Sequence, residues 1–278
     1  MKLPEYEVHA LRYASRVGRA RENFLLQNDI HDGPLGMDYF VWLIRGHGRT
    51  VVVDTGFGEE VAARRGRKLL RHPVQALAAI GVDAAEVPDV VFTHLHFDHS
   101  GNAGCFPRAR FHVQDAEMAF ATGRCMCHRV MNSSLEVEDV VGLVRNVYAG
   151  RVEFHDGSEE LAPGIVLHRI PGHTAGTQAV RVHTARGWVV LASDCAHYYA
   201  NMDLDNPFPI VLNVGEALEA PRRLLRLADS PDHIVPGHDP EVLRLYQHVA
   251  GSGGEIACLH LPPRVARTNG QATRDPSA

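Results

Sequence analysis

Residues 93–101 (THLHFDHSG) constrain this chain most, because three histidines and one aspartate fall within six positions. They follow a largely apolar run, residues 87–92, that is typical of a short buried strand. A helix would distribute these side chains around its surface, and a regular strand would divide them between two faces. A loop can bring them to one point, and zinc and similar ions prefer imidazole and carboxylate ligands. The stretch predicts part of a metal site; a histidine-rich surface loop is the alternative.

Three later turns carry further candidate ligands, each at the end of an apolar segment. His173 and His238 both follow a Pro-Gly pair, and Asp194 follows the apolar run 188–192. Each turn alone is a weak signal, since surface turns often contain His or Asp. Together with residues 93–101 they indicate four strand ends that supply one site.

The number of candidate ligands is sufficient for two metal ions that share one carboxylate. We expect one ion on His94, His96 and His173, a second on Asp98, His99 and His238, and Asp194 between them. Two neighbouring ions can share a water and lower its pKa toward neutrality, which supplies a hydroxide nucleophile. His and carboxylate ligands suit two divalent ions, zinc first and iron, cobalt or manganese as alternatives.

The sequence indicates less about the roles of several other polar residues. Asp54, at a predicted strand end, either orients a metal-binding histidine or caps the following turn. Ser193 lacks a Gly-x-Ser-x-Gly elbow, which argues against a serine hydrolase. Four histidines lie in or beside predicted strands and are interpreted as packing or surface groups: His112, His155, His168 and His183.

Composition limits the class of protein. The formal charge of −5 disfavours a nucleic-acid partner, which would require a broad cationic surface. The first residues are polar and no apolar run approaches membrane-spanning length, so we expect a cytoplasmic protein with no membrane partner. The five irregularly spaced cysteines agree with a reducing compartment. A monomer and a homodimer are both compatible with this composition.

The chain divides into one predicted metallo-hydrolase domain, residues 1–262, and a flexible tail, residues 263–278. Residues 15–36 form a long polar connection that is either an arm or a lid. Residues 123–133 are an insertion that either walls a substrate pocket or lies on the surface. Strands outnumber helices and recur in both halves, which favours two sheets flanked by helices.

Residues 59–71 are predicted to form a basic helix with five cationic side chains. Those side chains are interpreted either as a solvated face or as a rim that attracts anions.

The ligand pattern resembles the metallo-β-lactamase fold superfamily: the spacing H-x-H-x-D-H at 94–99, then His173, Asp194 and His238 in that order. Residues 54–56 (DTG) look like its early aspartate motif. The resemblance covers about residues 37–245 and implies an α+β fold, an αββα sandwich of two mixed sheets with a dinuclear site at its edge. Within the superfamily, residues 93–101, 171–174 and 237–239 look most like the N-acyl-homoserine lactonase family.

That resemblance implies a hydrolase that opens a small lactone or related ester by attack of a metal-bridging hydroxide. By resemblance, Asp98 also carries a proton to the leaving alkoxide. The family places a Tyr three residues after its bridging Asp to face the substrate carbonyl, but this chain has His197 there. Tyr198 is the first candidate for that role and His197 the second, so Tyr198→Phe is expected to lower turnover more than His197→Ala.

Other functions share this ligand pattern. A hydroxyacylglutathione-type thioesterase would require a basic pocket for its substrate's carboxylates. A diiron oxygen reductase or an iron-dependent sulfur dioxygenase is a redox alternative, and a non-catalytic metal-stabilised binding protein is a third class. An open dinuclear site is the arrangement that metal-assisted hydrolysis uses, which favours the lactonase.

Overall fold

Strands and short helices alternate along the chain in the computed structural model, which describes residues 2–27 and 32–267. Its strands are β1 (Glu7–Arg16), β2 (Met37–Gly46), β3 (Arg49–Val53), β4 (Lys68–Leu69), β5 (Asp89–Val91), β6 (Arg110–Gln114), β7 (Val152–His155), β8 (Ser158–Ala162), β9 (Ile165–Arg169), β10 (Gln178–Thr184), β11 (Gly187–Ser193), β12 (Ile234–Pro236) and β13 (Ile256–Cys258). Its α-helices are α1 (Glu59–Arg64), α2 (Pro73–Ala78), α3 (Phe97–Ser100), α4 (Asp115–Ala121), α5 (Arg129–Asn132), α6 (Val137–Tyr148), α7 (Tyr199–Asp203), α8 (Val214–Leu227) and α9 (Glu241–Leu245).

The strands form two mixed sheets. The first has the order β13-β1-β2-β3-β5-β6-β7, with β4 beside β1, and the second has the order β12-β11-β10-β9-β8. Strands β3 and β5 are parallel, and so are β11 and β12. Parallel pairing brings the carboxyl ends of these strands to the same edge, so the residues that follow them can meet there.

The sheets pack face to face around an apolar core. Strand β2 is buried along residues 37–44, which are mostly aromatic and aliphatic, as is typical of a strand covered on both faces. Trp42 packs between the sheets against side chains of the second sheet such as Val180. Phe92 and Phe111 stack on the outer face of the first sheet at 5.3 Å, beneath helices. Fully burying such a side chain contributes roughly 1.5–3 kcal/mol.

Helix α8 covers the outer face of the second sheet through Leu224, which is fully buried. The layers therefore run helix, sheet, sheet, helix. The predicted αββα sandwich is confirmed.

The predicted basic helix over residues 59–71 is too long. Helix α1 ends at Arg64, and Gly66 has a φ of 63°, a left-handed conformation that glycine adopts without strain. The chain then turns into β4, which pairs with residues 14–15 of β1. A short strand pairing across the fold has replaced the last turns of the helix.

The arm-or-lid segment, residues 15–36, lies partly within the described chain. The Leu25 N–H donates to the Pro207 carbonyl at 2.8 Å, and the Asn201 side chain donates to the Asn23 carbonyl at 3.0 Å. This side of the segment therefore packs against residues 201–207 of the same chain. Residues 28–31 lie outside the described residues.

The structure describes the whole insertion and the start of the expected tail. Residues 123–133 form a 3₁₀ turn (Arg124–Cys127) followed by α5. Arg267 pairs with Asp203 at 2.6 Å, so the start of the expected tail contacts the domain. Residues 268–278 lie outside the described residues.

Among the helices in the described ranges, none is long and apolar enough to cross a lipid bilayer.

Candidate metal centre

The histidine-rich stretch follows β5 and consists of a loop and a short helix. Residues 93–96 form a loop, and His96 is the residue that precedes α3, which carries Asp98 and His99. The single turn of α3 was not expected from sequence. All four candidate ligands of the stretch are buried, none more than 8% exposed.

The three later ligands reach the same point from the second sheet. His173 lies between β9 and β10, Asp194 directly follows β11, and His238 lies two residues beyond β12. Ser193, at the end of β11, has a φ of 46°, a conformation that costs a non-glycine residue energy and is typical of functional sites. A Cβ on Gly237 would lie 2.8 Å from Asp194 Oδ1, so only glycine fits beside this carboxylate.

The seven side chains form two groups whose possible ligand atoms lie within 4.8 Å of one another. The first is His94, His96, His173 and Asp194, and the second is Asp98, His99 and His238. Apart from Asp194, which the sequence analysis places between the two sets, the groups have the same members as the predicted sets.

Asp194 divides its oxygens between the two groups. Its Oδ2 lies 3.6 Å from His94 Nε2 and 3.2 Å from His173 Nε2. Its Oδ1 lies 3.4 Å from His99 Nε2 and 3.0 Å from His238 Nε2. A carboxylate in this orientation can bridge two ions.

Hydrogen bonds behind the histidines turn their Nε2 atoms toward the centre. His173 Nδ1 donates to the Ile210 carbonyl at 2.7 Å, and His238 Nδ1 donates to the Asp38 carbonyl at 2.8 Å. Since a carbonyl only accepts, Nδ1 carries the proton and Nε2 keeps a lone pair for a metal ion.

Asp54 performs the same function for His99. Its Oδ2 lies 2.7 Å from His99 Nδ1, and its two oxygens accept from the N–H and hydroxyl of Thr93. Asp54 is fully buried with a φ of 61°. Of the two roles left open for Asp54, its contacts favour orienting a histidine over capping a turn.

Two buried ring nitrogens without hydrogen-bond partners among the described residues indicate that the cluster fits a metal ion. His94 Nε2 and His99 Nε2 are buried, and neither has a hydrogen-bond partner within the described residues. Leaving a buried polar atom unsatisfied costs about 1–3 kcal/mol. Because both atoms point at the Asp194 carboxylate, a bound cation satisfies them, and the residues fit such a group.

The charges of the cluster also favour a cation. Burial by itself lowers the pKa of His99, but the carboxylates of Asp194, Asp98 and Asp54 raise it to about 10. Burial lowers the pKa of His94 well below its usual value, which leaves that imidazole neutral. The carboxylates therefore favour a positive charge on the His99 side of the cluster, next to the neutral imidazole of His94.

His197 lies at the centre and Tyr198 does not. His197 Nε2 is 2.9 Å from Asp194 Oδ2, and its ring stacks on Phe208 at 3.9 Å. The Tyr198 hydroxyl donates instead to the Gly36 carbonyl at 3.1 Å, and its ring packs in the core. Of the two sequence-based candidates, the geometry therefore favours His197 over Tyr198, whose side chain turns away from the centre.

Tyr199 also points elsewhere, into the apolar core between the sheets. His197 forms a further candidate metal group with Asp194 and His238, which the sequence did not indicate.

A cavity of about 190 Å³ opens beside the cluster. Met37, Tyr39 and Phe97 line it. The insertion at 123–133 does not line it; Met126 and Asn132 border a separate groove.

Several residues near the centre were not singled out from the sequence. Arg16, Phe208 and Ile210 line the cavity, and no local pattern indicates this. Glu117 is fully buried and accepts from the Leu95 N–H at 2.9 Å and the Gly176 N–H at 3.0 Å. It links the loops that carry His96 and His173.

Comparisons with known proteins agree with this site. A family model described as the metallo-beta-lactamase superfamily matches residues 36–238. A probable metallo-hydrolase of Mycobacterium tuberculosis is 29% identical over 218 residues, covering 71% of this chain and 70% of that protein. An N-acyl homoserine lactonase of a Bacillus species is 27% identical over 223 residues, covering 74% of this chain and 83% of that protein.

A solved structure of a quorum-quenching N-acyl homoserine lactone lactonase superimposes with a TM-score of 0.70 at 22% identity, covering 87% of this chain and 94% of that one. This likeness concerns the fold. The family match spans most of the chain and includes every candidate ligand. The chain belongs to the metallo-β-lactamase superfamily, as a hydrolase with a histidine and aspartate cluster fit for a metal ion.

Proposed function

We propose that this hydrolase is a dinuclear metal-dependent lactonase that opens a small lactone ring. The observation that carries the proposal is the division of the Asp194 oxygens between two sets of histidines. Curated relatives named N-acyl homoserine lactonase support a lactone as the class of substrate. A cytoplasmic location and a monomeric or homodimeric state are part of the same proposal.

The proposed ligands of the first ion are His94, His96 and His173, those of the second are Asp98, His99 and His238, and Asp194 is shared. If these residues hold two divalent ions, which we propose to be zinc, the ions would lower the pKa of a shared water toward neutrality and would polarise the lactone carbonyl.

Asp98 is the chain's best-placed group for proton transfer. Its oxygens lie 3.7 Å from His99 Nε2 and from His238 Nε2, so the carboxylate borders the second ligand set. Asp98 also lines the cavity. A carboxylate in contact with both the centre and the substrate can accept a proton during attack and return it to the leaving alkoxide.

His197 is the proposed positioning residue on the carbonyl side. Its hydrogen bond to Asp194 and its stacking on Phe208 connect the shared carboxylate to the cavity wall. We therefore expect His197→Ala to lower kcat about tenfold or more, since a charged hydrogen bond contributes about 1.5–3 kcal/mol. Tyr198→Phe should change kcat by no more than about twofold, because the hydroxyl that is lost donates to the Gly36 carbonyl and not to the centre.

The experiment is a substrate panel of lactones, thioesters and phosphodiesters, assayed with the zinc-loaded protein and both variants. The proposal requires lactones to be the best substrates by kcat/KM. Thioesters as the best substrates would favour the hydroxyacylglutathione-type alternative. Oxygen-dependent turnover with one bound iron would favour the redox alternative.

A further inference from the structure

We propose that the cavity beside the metal centre selects a substrate that carries a carboxylate, held by Arg67 with Arg16 beside it. The inference rests on the proposed hydrolysis of a small lactone and names the chemistry of its ring substituent. Both arginines line the cavity that also borders Asp98, Asp194 and His197.

Arg67 is positioned by backbone contacts and is available for an anion. Its N–H donates to the Ala62 carbonyl at 2.8 Å directly after Gly66, and its Nη1 donates to the Arg65 carbonyl at 2.8 Å. Over residues 2–27 and 32–267, Arg67 forms no ion pair and its buried Nε has no hydrogen-bond partner.

The two arginines that precede Arg67 most closely in the chain differ from it, because they have carboxylate partners. Arg64 and Arg65 both pair with Glu136, at 2.6 and 2.7 Å, outside the cavity. Only Arg67 of these three lines the cavity and lacks a carboxylate partner among the described residues. A guanidinium held at a pocket wall without a counter-charge is a binding group for a carboxylate, to which it can donate two parallel hydrogen bonds.

Arg67 also lies near the reacting end of the cavity. Arg67 lines the same cavity wall as Tyr39, and its guanidinium carbon lies 6.0 Å from the centre of the Phe97 ring. Tyr39 in turn packs edge-on against His238 at 5.3 Å. A carboxylate on Arg67 would therefore belong to a substrate whose other end reaches the centre.

Arg16 adds a second, partly neutralised cation. Its Nη1 lies 3.2 Å from Glu22 Oε2 and its Nη2 donates to Asn23 Oδ1 at 2.8 Å, while its Nε is buried without a partner among the described residues. Apart from the candidate ligands and His197, the charged groups of the cavity wall are thus two arginines and one glutamate. The wall is cationic although the whole chain carries −5.

The cavity size limits the substrate. At about 190 Å³ the cavity is smaller than pockets for drug-sized ligands, which are about 300–1,000 Å³. A five-membered lactone ring with one carboxylate suits this space better than a ring with a long acyl chain.

The experiment compares γ-butyrolactone bearing a ring carboxylate with the same ring bearing a carboxamide. We expect wild-type protein to favour the carboxylate by about tenfold or more in kcat/KM, the range of a charge-assisted hydrogen bond. Arg67→Gln should reduce that preference to about twofold or less, mainly through KM. Arg49→Gln removes the same charge at the exposed first residue of β3 and should leave the preference unchanged.

Two further measurements keep the inference testable by itself. Calorimetric titration with the two ring-opened products measures the contribution of Arg67 to binding affinity, without catalysis. Raising the salt concentration should reduce the carboxylate preference of wild-type protein, since added ions screen exposed charges. This second arm requires no variant to fold.

Equal use of the two rings by wild type and Arg67→Gln would overturn the carboxylate assignment while leaving the lactonase proposal intact. If neither ring is opened, the lactonase proposal fails for these rings. In that case the binding of the ring-opened products still decides the role of Arg67.

Discussion

Two groups of buried histidines within the described residues differ in how their ring nitrogens are arranged. In the first sheet, His112 Nδ1 pairs with His155 Nε2 at 3.0 Å. Their outer nitrogens pair with Asp89 at 3.1 Å and Glu159 at 2.7 Å. All four ring nitrogens of this pair are satisfied within a line of hydrogen bonds.

At the sandwich edge the nitrogens converge on one point. His94 Nε2 and His99 Nε2 find no partner among the described residues and face the shared carboxylate of Asp194. Both groups combine buried histidines with carboxylates, so burial and composition do not separate them. Convergent, unsatisfied nitrogens distinguish a metal centre from histidines that stabilise a fold.

The largest predicted difference comes from one substitution made in both groups. Asp194→Asn should remove at least one ion and lower kcat/KM by about 10³-fold or more, because stabilisation by the metal centre contributes several kcal/mol. Asp89→Asn makes the same change beside His112 and should leave metal content and turnover within about twofold. Elemental analysis measures the metal content of both variants, and lactone kinetics measure their turnover. Equal effects of the two substitutions would remove the distinction between the two groups of histidines.

A smaller difference is predicted for the carboxylates that contact histidine Nδ1 atoms. Asp54→Asn should weaken metal affinity about 10–100-fold, since Asp54 orients His99. Glu159→Gln alters the same kind of contact on His155 and should not change affinity. Competition with a chelator of known affinity measures both, and an unchanged affinity in Asp54→Asn would reduce Asp54 to a capping role.

His9 provides the smallest and most specific test, because its buried Nδ1 also lacks a partner but stands apart from the cluster. Burial, with the nearby charges of His260 and Arg45, lowers the pKa of His9 from 6.5 to about 4. Above pH 6.5 the imidazole is neutral in both the folded and the unfolded chain. As the pH falls toward 4, the unfolded chain takes up a proton that the folded chain does not, so the free energy of unfolding decreases.

Between those pH values we expect wild-type protein to lose roughly 1–3 kcal/mol more of its free energy of unfolding than His9→Leu does. His47→Asn, at an exposed turn, is the matched control. Denaturant unfolding of chelator-treated protein at several pH values measures the difference. A wild-type slope identical to that of His9→Leu would contradict the assignment.

The sequence was sufficient for the parts of the site that depend on local pattern. Residues 93–99 and the turns before His173 and His238 carry their ligands directly after strands, so predicting the strands also located the side chains. The two ligand groups followed because four strand ends of a sandwich meet at one edge.

Other parts depend on contacts between distant segments. Arg67 reaches the cavity because Gly66 ends α1 and β4 pairs with β1, which a basic helical pattern does not indicate. The choice between His197 and Tyr198 depends on how the start of α7 packs against Gly36 and Phe208. The side chains of neighbouring residues at a turn point in different directions. The identities of those residues do not determine which direction each side chain takes.

The most direct test of the dinuclear site is the metal content of purified protein equilibrated with zinc and freed of loosely bound ions. The arrangement of Asp194 between two sets of histidines predicts two ions per chain. It also predicts two ions in the Asp89→Asn variant and fewer in Asp194→Asn. One ion per chain in the wild-type protein, unchanged by Asp194→Asn, would contradict it.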